Sequence, residues 1–333
     1  MARDRAASAS RRRFCCTLAG VLVAPGTAIA QSSKVIRRIG YLDPSEPDSP
    51  EEIKEQYAPL DKLGWVEGQN LLFERRYANS KPELLRPFAE ELVRLKVEII
   101  ITAGTAATLA AKSATNTIPI VFWGAGDPVG AGLVASLARP GGNVTGYAIV
   151  ASDMNAKRLA VLHELLPKVQ RVGVLEYAVN PHDRIARNEL EQACRALGIE
   201  PIFVEIAAGN ELANAVADLA RRGAEGLVVP PDAVFADNKV ELMRAALKYR
   251  LPTAVSRIHV RELGALVSYD PLESEQHERG ASFVDRILRG AKPADLPVEQ
   301  PTKFALIINL KSAQALGIAV PQSLLARADE VIR

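Results

Sequence analysis

The feature that most constrains the fold of this chain is a repeated alternation of strand-like runs with amphipathic helical segments. Strand-like runs at 38–42, 71–77, 98–102, 118–123 and 144–150 alternate with segments whose apolar residues recur at helical spacing. Mostly apolar strands that alternate with helices are typical of a parallel sheet buried on both faces. The first half of the chain therefore predicts a parallel sheet covered by helices.

The same alternation begins again after residue 153. Helical spacing at Leu159, Leu162 and Leu165 precedes predicted strands at 172–177, 202–206, 226–229, 253–256 and 266–269. Between these strands, helices are predicted through Leu212, Val216 and Leu219 and through Val240, Met243 and Leu247. The predicted fold class is α/β, with two doubly wound parallel-sheet lobes joined by hinge strands and a cleft between the lobes.

The N-terminus has the pattern of an export signal. Arg12 and Arg13 directly precede a short apolar run, and Ala28, Ile29 and Ala30 form an A-x-A cleavage site before Gln31. The apolar run is much shorter than the roughly 20 residues that cross a bilayer. Residues 1–30 are therefore predicted to be a twin-arginine-type signal peptide, and the mature protein is predicted to be a soluble periplasmic protein.

Charge and cysteine content exclude several classes of function. The whole chain has a net charge of +2, and residues 1–30 hold five arginines and one aspartate, so the net charge after their removal is −2. This weak charge does not favour nucleic acid or an anionic membrane as the partner. Only Cys194 remains after cleavage, on a helical pattern that predicts a buried, inert thiol. The four histidines are scattered, so no metal site and no cofactor is predicted.

The loop after the third predicted strand could bind an anion. It reads Thr102, Ala103, Gly104, Thr105, Ala106, Ala107 and opens a helix. Small residues allow the backbone N–H groups to approach a ligand, and the N-terminus of a helix favours a carboxylate. On the sequence alone, a helix start whose small residues serve close packing is an equally good interpretation.

Polar residues that follow the other strands complete the candidate site, because ligands of open parallel sheets bind beyond the carboxyl ends of the strands. Asp232 follows a strand in the second lobe, where its carboxylate could pair with a ligand ammonium or cap the next helix. The remaining candidates share a position just after a strand: Asp43, Ser45, Asp127, Tyr177, Asn180, Ser256 and Tyr269.

A glycine-rich stretch from Gly124 to Gly130 imitates a dinucleotide-binding loop but departs from it. Its spacing is GxGxxxG, Pro128 lies inside it, and about 20 residues further on there is no acid for a ribose. We interpret it as a tight loop at the cleft. The chain also lacks a GxSxG motif and a recognisable nucleophile and base, so an enzyme is not predicted.

Two stretches carry a family resemblance. Residues 117–146 contain DPV and PGGNVTG, and residues 292–333 contain INLKSA, LG and ADEVI. From about Arg38 to the C-terminus the chain resembles the ABC-transporter substrate-binding family that includes the bacterial tryptophan- and tyrosine-binding lipoproteins, with the type I periplasmic binding protein fold. The resemblance implies a receptor that closes on a small solute, an amino acid or related carboxylate, and delivers it to a membrane permease. It implies that Gly104, Thr105 and Ala106 bind the carboxylate of the ligand and that Asp232 binds its ammonium. It implies no catalysis.

The resemblance also implies that the chain crosses between the lobes three times. The first lobe then comprises 36–151 plus 271–299, the second comprises 152–270 plus 300–333, and the hinge lies near Ala151, Asp270 and Gln300. We expect a monomer. Two alternatives remain open on the sequence: a periplasmic ligand sensor for a membrane receptor, which the same fold serves, and a periplasmic hydrolase.

Overall fold

The computed structural model describes residues 36–149, 151–256, 260–261 and 263–333, without the side chains of 151–153 and 181–186. The predicted export signal lies outside these residues. The chain from Val35 onward forms one compact unit that contains two sheets.

The first sheet has five strands, all parallel, in the order β2-β1-β3-β4-β5. Its strands are β1 (Arg37–Asp43), β2 (Leu71–Tyr77), β3 (Ile99–Ala103), β4 (Ile120–Ala125) and β5 (Val144–Ala148). The helices between them are α1 (Pro50–Lys62), α2 (Leu85–Arg94) and α3 (Gly104–Ala114). Helices α2 and α3 pack on one face and α1 on the other, so successive residues of β3 are buried against opposite helix layers.

The second sheet repeats this arrangement and extends it. Its first strands are β6 (Arg171–Tyr177), β7 (Glu200–Ile206), β8 (Gly226–Val228), β9 (Thr253–Val255) and β10 (Val267–Pro271). The order β7-β6-β8-β9-β10 is that of the first sheet, and β11 (Phe304–Asn309) and β12 (Glu330–Ile332) continue it beyond β10. The helices are α4 (Ala151–Leu165), α5 (Pro181–Leu197), α6 (Leu212–Arg221), α7 (Ala233–Asp237) and α8 (Lys239–Lys248).

The chain passes between the two sheets three times. It leaves the first sheet after β5, and it leaves the second after β10 to form α9 (Glu273–Leu288), whose Phe283 and Ile287 pack against α1 in the first core. It returns to the second sheet at β11, which is followed by α10 (Leu310–Leu316) and α11 (Gln322–Leu325). We call the first sheet with α1–α3 and α9 the first lobe, and the second sheet with the other helices the second lobe.

Hydrogen bonds tie the crossing segments together. The backbone N–H of Ala148 donates to the carbonyl of Glu299 at 2.8 Å, so the first and third crossings run side by side. The buried Glu275 carboxylate accepts from the backbone N–H groups of Thr302 and Lys303, each at 3.0 Å. The hinge positions stay a prediction, because one arrangement of the lobes does not show a rotation.

Two features differ from the sequence expectations. First, β11 runs antiparallel to β10, although a wholly parallel sheet was expected. The chain re-enters the second lobe from the side of the other lobe, so β11 must run away from it. Second, two of the apolar residues whose helical spacing predicted α8, Val240 and Leu247, are 51% and 68% exposed. The helix instead packs through Leu242, Met243 and two small alanines, which allow it to approach the core closely.

The single cysteine among the described residues agrees with its prediction. Cys194 is fully buried on α5, and this burial raises the pKa of its thiol to about 11. At neutral pH the thiol is therefore protonated and a poor nucleophile.

Candidate functional site

A cavity of about 300 Å³ lies between the two lobes, at the carboxyl ends of their strands. Its position follows from the strand order, because β1 and β3 are neighbours whose helices leave on opposite faces, and β6 and β8 repeat this in the second lobe. Such a switch point opens a crevice beyond the sheet. The loops that follow β1, β3, β6 and β8 all line the cavity.

The start of α3 forms one side of the cavity. Ala103 has no side-chain acceptor to cap this helix, so its first N–H groups have no such partner. Gly104 has φ of +73°, a left-handed conformation that glycine adopts without steric cost, and nothing lies within 4 Å of the Cβ that another residue would add. The Thr105 hydroxyl accepts from the backbone N–H of Gly126 at 3.1 Å, which fixes the start of α3 against the loop after β4.

Asp43, at the end of β1, is a buried carboxylate with partners on both oxygens. One oxygen accepts from the Tyr41 hydroxyl at 2.6 Å and the other from the backbone N–H of Ser45 at 2.7 Å. Burial raises the pKa of Asp43 above its ordinary value, and these hydrogen bonds offset part of that effect. Asp43 thus shapes the loop after β1 and is already paired within the first lobe.

Asp232 lies in the second lobe, where α7 begins. Its carboxylate accepts from the Asn180 side-chain amide at 2.7 Å and from the backbone N–H of Val234 at 3.1 Å. Desolvation raises the pKa of Asp232 from 3.8 to about 6, and the two hydrogen bonds oppose this shift without cancelling it. The carboxylate is therefore held in a poor environment for its charge, as is common for groups that bind a ligand.

The rest of the cavity wall is largely apolar. Tyr177 and Phe235 come from the second lobe. Leu85 belongs to the first lobe, and Ile149 lies after β5, where the chain crosses to the second lobe. Among the described lining residues, none carries a basic side chain, so Asp43 and Asp232 are its charged groups. Such a cavity suits a small ligand with an apolar body, a cationic group for Asp232 and an anionic group for the start of α3.

The family model of the ABC transporter substrate-binding proteins matches residues 51–332. The chain belongs to this family. It is also similar to a tyrosine-binding protein from Clostridioides difficile strain R20291, with 27% identity over 86% of this chain and 82% of the relative.

Solved structures agree with this assignment. An ABC domain from Streptococcus pneumoniae in complex with L-Trp has 25% identity and a TM-score of 0.82, covering 89% of this chain and all of that one. A ligand-free, open structure of a substrate-binding protein with adhesive properties from Clostridium difficile has 24% identity and a TM-score of 0.63, covering 89% and 99%. The substrate-binding protein therefore has the two-lobed fold of these structures.

The described residues contain neither a membrane-spanning helix nor a metal-binding cluster. No helix among them has both the length and the apolar character to span a bilayer. No group of three or more His, Cys, Asp and Glu side chains in this part of the chain could hold a metal ion.

The structure brings together most of the residues chosen from the sequence. Nine of the eleven candidates line the cavity of this substrate-binding protein: Asp43, Ser45, Gly104, Thr105, Ala106, Tyr177, Asn180, Asp232 and Ser256. Their role in binding stays a prediction, because lining a cavity does not establish contact with a ligand. Gly124 and Gly126 line it as well, as expected for a glycine loop at the cleft.

Asp127 and Tyr269 are not among the residues that line the cavity. The Asp127 carboxylate accepts from the backbone N–H of Gly130 at 2.9 Å and so closes its own turn. The Tyr269 ring stacks on Phe304 with 5.6 Å between the centroids, and the Lys157 ammonium lies 4.9 Å from the centre of Phe304. Asp127 follows β4, whose end lines the cavity through Gly124 and Gly126, whereas Tyr269 lies within β10 and does not follow a strand.

Sequence reasoning missed the loop after β2. Ser80, Pro82 and Leu85 line the cavity, although none was chosen. The available signal was the position of this loop after a strand of the same sheet. Its apolar and small residues gave no chemical reason to select it.

Proposed function

We propose that this substrate-binding protein binds a free L-amino acid between its lobes. The ligand carboxylate accepts hydrogen bonds from the first turn of α3, and the ammonium pairs with Asp232. The observation that carries this proposal is that the uncapped helix start and the destabilised carboxylate belong to different lobes and line one cavity. A zwitterion satisfies both groups at once, so it favours the closed arrangement.

The relatives support an amino acid with a large apolar side chain. One relative carries the name tyrosine-binding protein, and a similar structure contains L-Trp. In this chain, the Tyr177 and Phe235 rings and the Leu85 side chain offer an apolar wall for such a group. The cavity volume of about 300 Å³ is at the lower end for small-molecule sites, so the ligand should be small.

We further propose that the mature protein acts in the periplasm as a monomer and delivers its ligand, chemically unchanged, to an ABC permease in the inner membrane. Family membership and the export signal predicted for residues 1–30 support this role. Deletion of the ABC permease that receives the ligand should abolish uptake of the ligand while the purified protein still binds it. Normal uptake in that deletion strain would instead favour the sensor alternative.

The experiment that tests the ligand class compares three compounds that differ by one group. L-tyrosine has both charges, tyramine lacks the carboxylate, and 3-(4-hydroxyphenyl)propionate lacks the ammonium. The protein is first unfolded and refolded to remove bound ligand. Isothermal titration calorimetry should then show binding of L-tyrosine and at least about 30-fold weaker binding of each analogue, because an unpaired buried charge costs about 2–5 kcal/mol. L-tryptophan and L-leucine, tested in parallel, define the side chain that is preferred.

Equal affinity for tyramine and L-tyrosine would remove the carboxylate role of α3. Equal affinity for the propionate would remove the ammonium role of Asp232. If a panel of all the proteinogenic L-amino acids gave no binding, the amino-acid proposal would be wrong.

A further inference from the structure

Beside the cavity, a hydrogen-bonded contact joins the two lobes without either of the cavity carboxylates, Asp43 and Asp232. Asp237 ends α7 in the second lobe. Both oxygens of its carboxylate lie 3.2 Å from the backbone nitrogen of Glu46, and the Ser80 hydroxyl donates to one of them. Glu46 and Ser80 belong to the loops after β1 and β2 of the first lobe. This carboxylate therefore takes both its donors from across the cleft.

The loop that carries Ser80 is held in an unusual conformation. Asn79 and Ser80 have φ of +50° and +54°, which is a strained left-handed conformation for residues other than glycine. Three hydrogen bonds to the end of β1 and the loop after it maintain this conformation. The backbone N–H groups of Ala78, Asn79 and Ser80 donate to the backbone carbonyls of Asp43, Ser45 and Pro44 at 2.8, 3.0 and 2.7 Å, respectively. The first lobe thus presents the Ser80 hydroxyl and the Glu46 N–H in a fixed pair before Asp237 arrives.

Closure takes the Asp237 carboxylate partly out of water. Burial raises its pKa, while the hydrogen bonds from Ser80 and Glu46 act in the opposite direction. When the lobes separate, both donors are lost and the carboxylate returns to solvent. The energy of this contact therefore depends on the relative position of the lobes and not on any group of the ligand.

We propose that Asp237, Ser80 and the Glu46 N–H form an interlobe latch that stabilises the closed state and slows ligand release. Asp237 is a positioning residue: it affects affinity through the closed population and not through ligand contact. This inference rests on the proposed function, because a latch matters only if the lobes close on a ligand. In such a latch, the side chain of Asp237, which is not among the described residues that line the cavity, stabilises the closed state.

The test compares Asp237→Asn, Ser80→Ala and the double variant with wild type. The new amide of Asp237→Asn turns an N–H₂ group toward the donors, so one acceptor is lost without a change of size. We expect L-tyrosine or L-tryptophan to bind each single variant about 10-fold more weakly, through faster dissociation with an unchanged association rate, since hydrogen bonds to charged groups are strong enough for this. The double variant should lose little more than Asp237→Asn alone.

Asp218→Asn is the matched control, because Asp218 pairs only within the second lobe with Arg221 and Arg222 among the contacts described. It should bind as wild type does. Unchanged affinity and dissociation rate in Asp237→Asn would overturn the latch and leave the proposed function intact. Additive losses in the double variant would also overturn it, because Ser80 and Asp237 would then act separately.

If wild type bound none of the amino acids, the proposed function would fail and the latch would be judged on small-angle X-ray scattering of the protein without added ligand. The latch then requires a larger radius of gyration for Asp237→Asn than for wild type and Asp218→Asn. Coincident scattering of the three proteins would overturn it.

Discussion

Replacement of Asp232 by asparagine should weaken ligand binding and stabilise the ligand-free protein. Desolvation raises the pKa of this carboxyl from 3.8 to about 6. The folded protein therefore holds the proton more tightly than the unfolded chain. The contribution of Asp232 to stability is greatest below pH 3.8 and is lost as the pH rises through about 6, so above pH 6 the charged carboxylate is a net cost.

The size of that cost follows from the two pKa values. At 1.36 kcal/mol for each pKa unit, the interval from 3.8 to about 6 corresponds to about 3 kcal/mol. Because solvent still reaches this partly buried carboxyl, and because asparagine has one acceptor oxygen fewer for the Asn180 amide, we reduce the figure to about 1–2 kcal/mol. Asparagine carries no charge, and its carbonyl can still accept from the Val234 N–H that the carboxylate now caps.

We therefore expect ligand-free Asp232→Asn to be about 1–2 kcal/mol more stable than wild type at pH 7.5, with a melting temperature a few degrees higher. The difference should shrink as the pH is lowered to 5. The same variant should bind L-tyrosine at least about 30-fold more weakly, because the ammonium loses its charged partner. Urea unfolding at both pH values and isothermal titration measure the two effects.

Opposite results would refute this reasoning. A ligand-free Asp232→Asn protein that is less stable than wild type at pH 7.5 would show that the carboxylate serves the fold, as a helix cap, and not a ligand. A more stable variant with unchanged affinity would confirm the electrostatic cost but remove Asp232 from the binding site. Asp218→Asn, at a surface position in the same lobe, controls for the general effect of removing one negative charge.

Three further changes test other parts of the molecule. Gly104→Ala should lower the free energy of unfolding by about 1–2 kcal/mol, because alanine resists the φ of +73°. It should also weaken the binding of L-tyrosine more than any residual binding of tyramine. Urea unfolding and isothermal titration calorimetry measure the two effects. Gly280→Ala should lower the free energy of unfolding by about 2–3 kcal/mol without changing affinity per folded molecule, because its Cβ would lie 2.3 Å from Cε2 of the buried Trp123 ring. Replacing Arg12 and Arg13 by lysine should keep the precursor in the cytoplasm, and cell fractionation with immunoblotting would reveal mature periplasmic protein if that expectation is wrong.

Sequence patterns predicted the strands of both sheets up to β10 because each is a short, mostly apolar run followed by a helix. They could not predict the direction of β11. The apolar residues of 304–309 fit either direction, and only the path of the chain through α9 in the other lobe decides it. Periodicity predicted helix α8 but did not identify its buried face, since Val240 and Leu247 are exposed while the small residues Ala245 and Ala246 are buried.

The candidate site was predictable to the extent that position after a strand determines position in space. That rule selected Gly104 and Asp232, which line the cavity, and also Asp127 and Tyr269, which do not, because the sequence reveals neither that β10 continues past Tyr269 nor that Asp127 turns back onto Gly130. The same rule also admits Ser80, shortly after β2, but the proposed role of Ser80 depends on a left-handed backbone conformation and on a carboxylate more than 150 positions away. Contacts of this kind depend on how the lobes meet.

The two lobes share one strand order, and this has a consequence for how affinity is controlled. Each lobe brings its own switch point to the cleft, so the cavity has walls from both lobes. The groups proposed to recognise a ligand, at the start of α3 and at Asp232, are then separate from Asp237, which is proposed to respond to closure alone. A change at Asp237 should weaken all ligands by the same factor, whereas a change at Asp232 should weaken amines and leave analogues without an ammonium less affected. Measuring both variants against L-tyrosine and 3-(4-hydroxyphenyl)propionate would therefore distinguish the energy of closure from the energy of recognition.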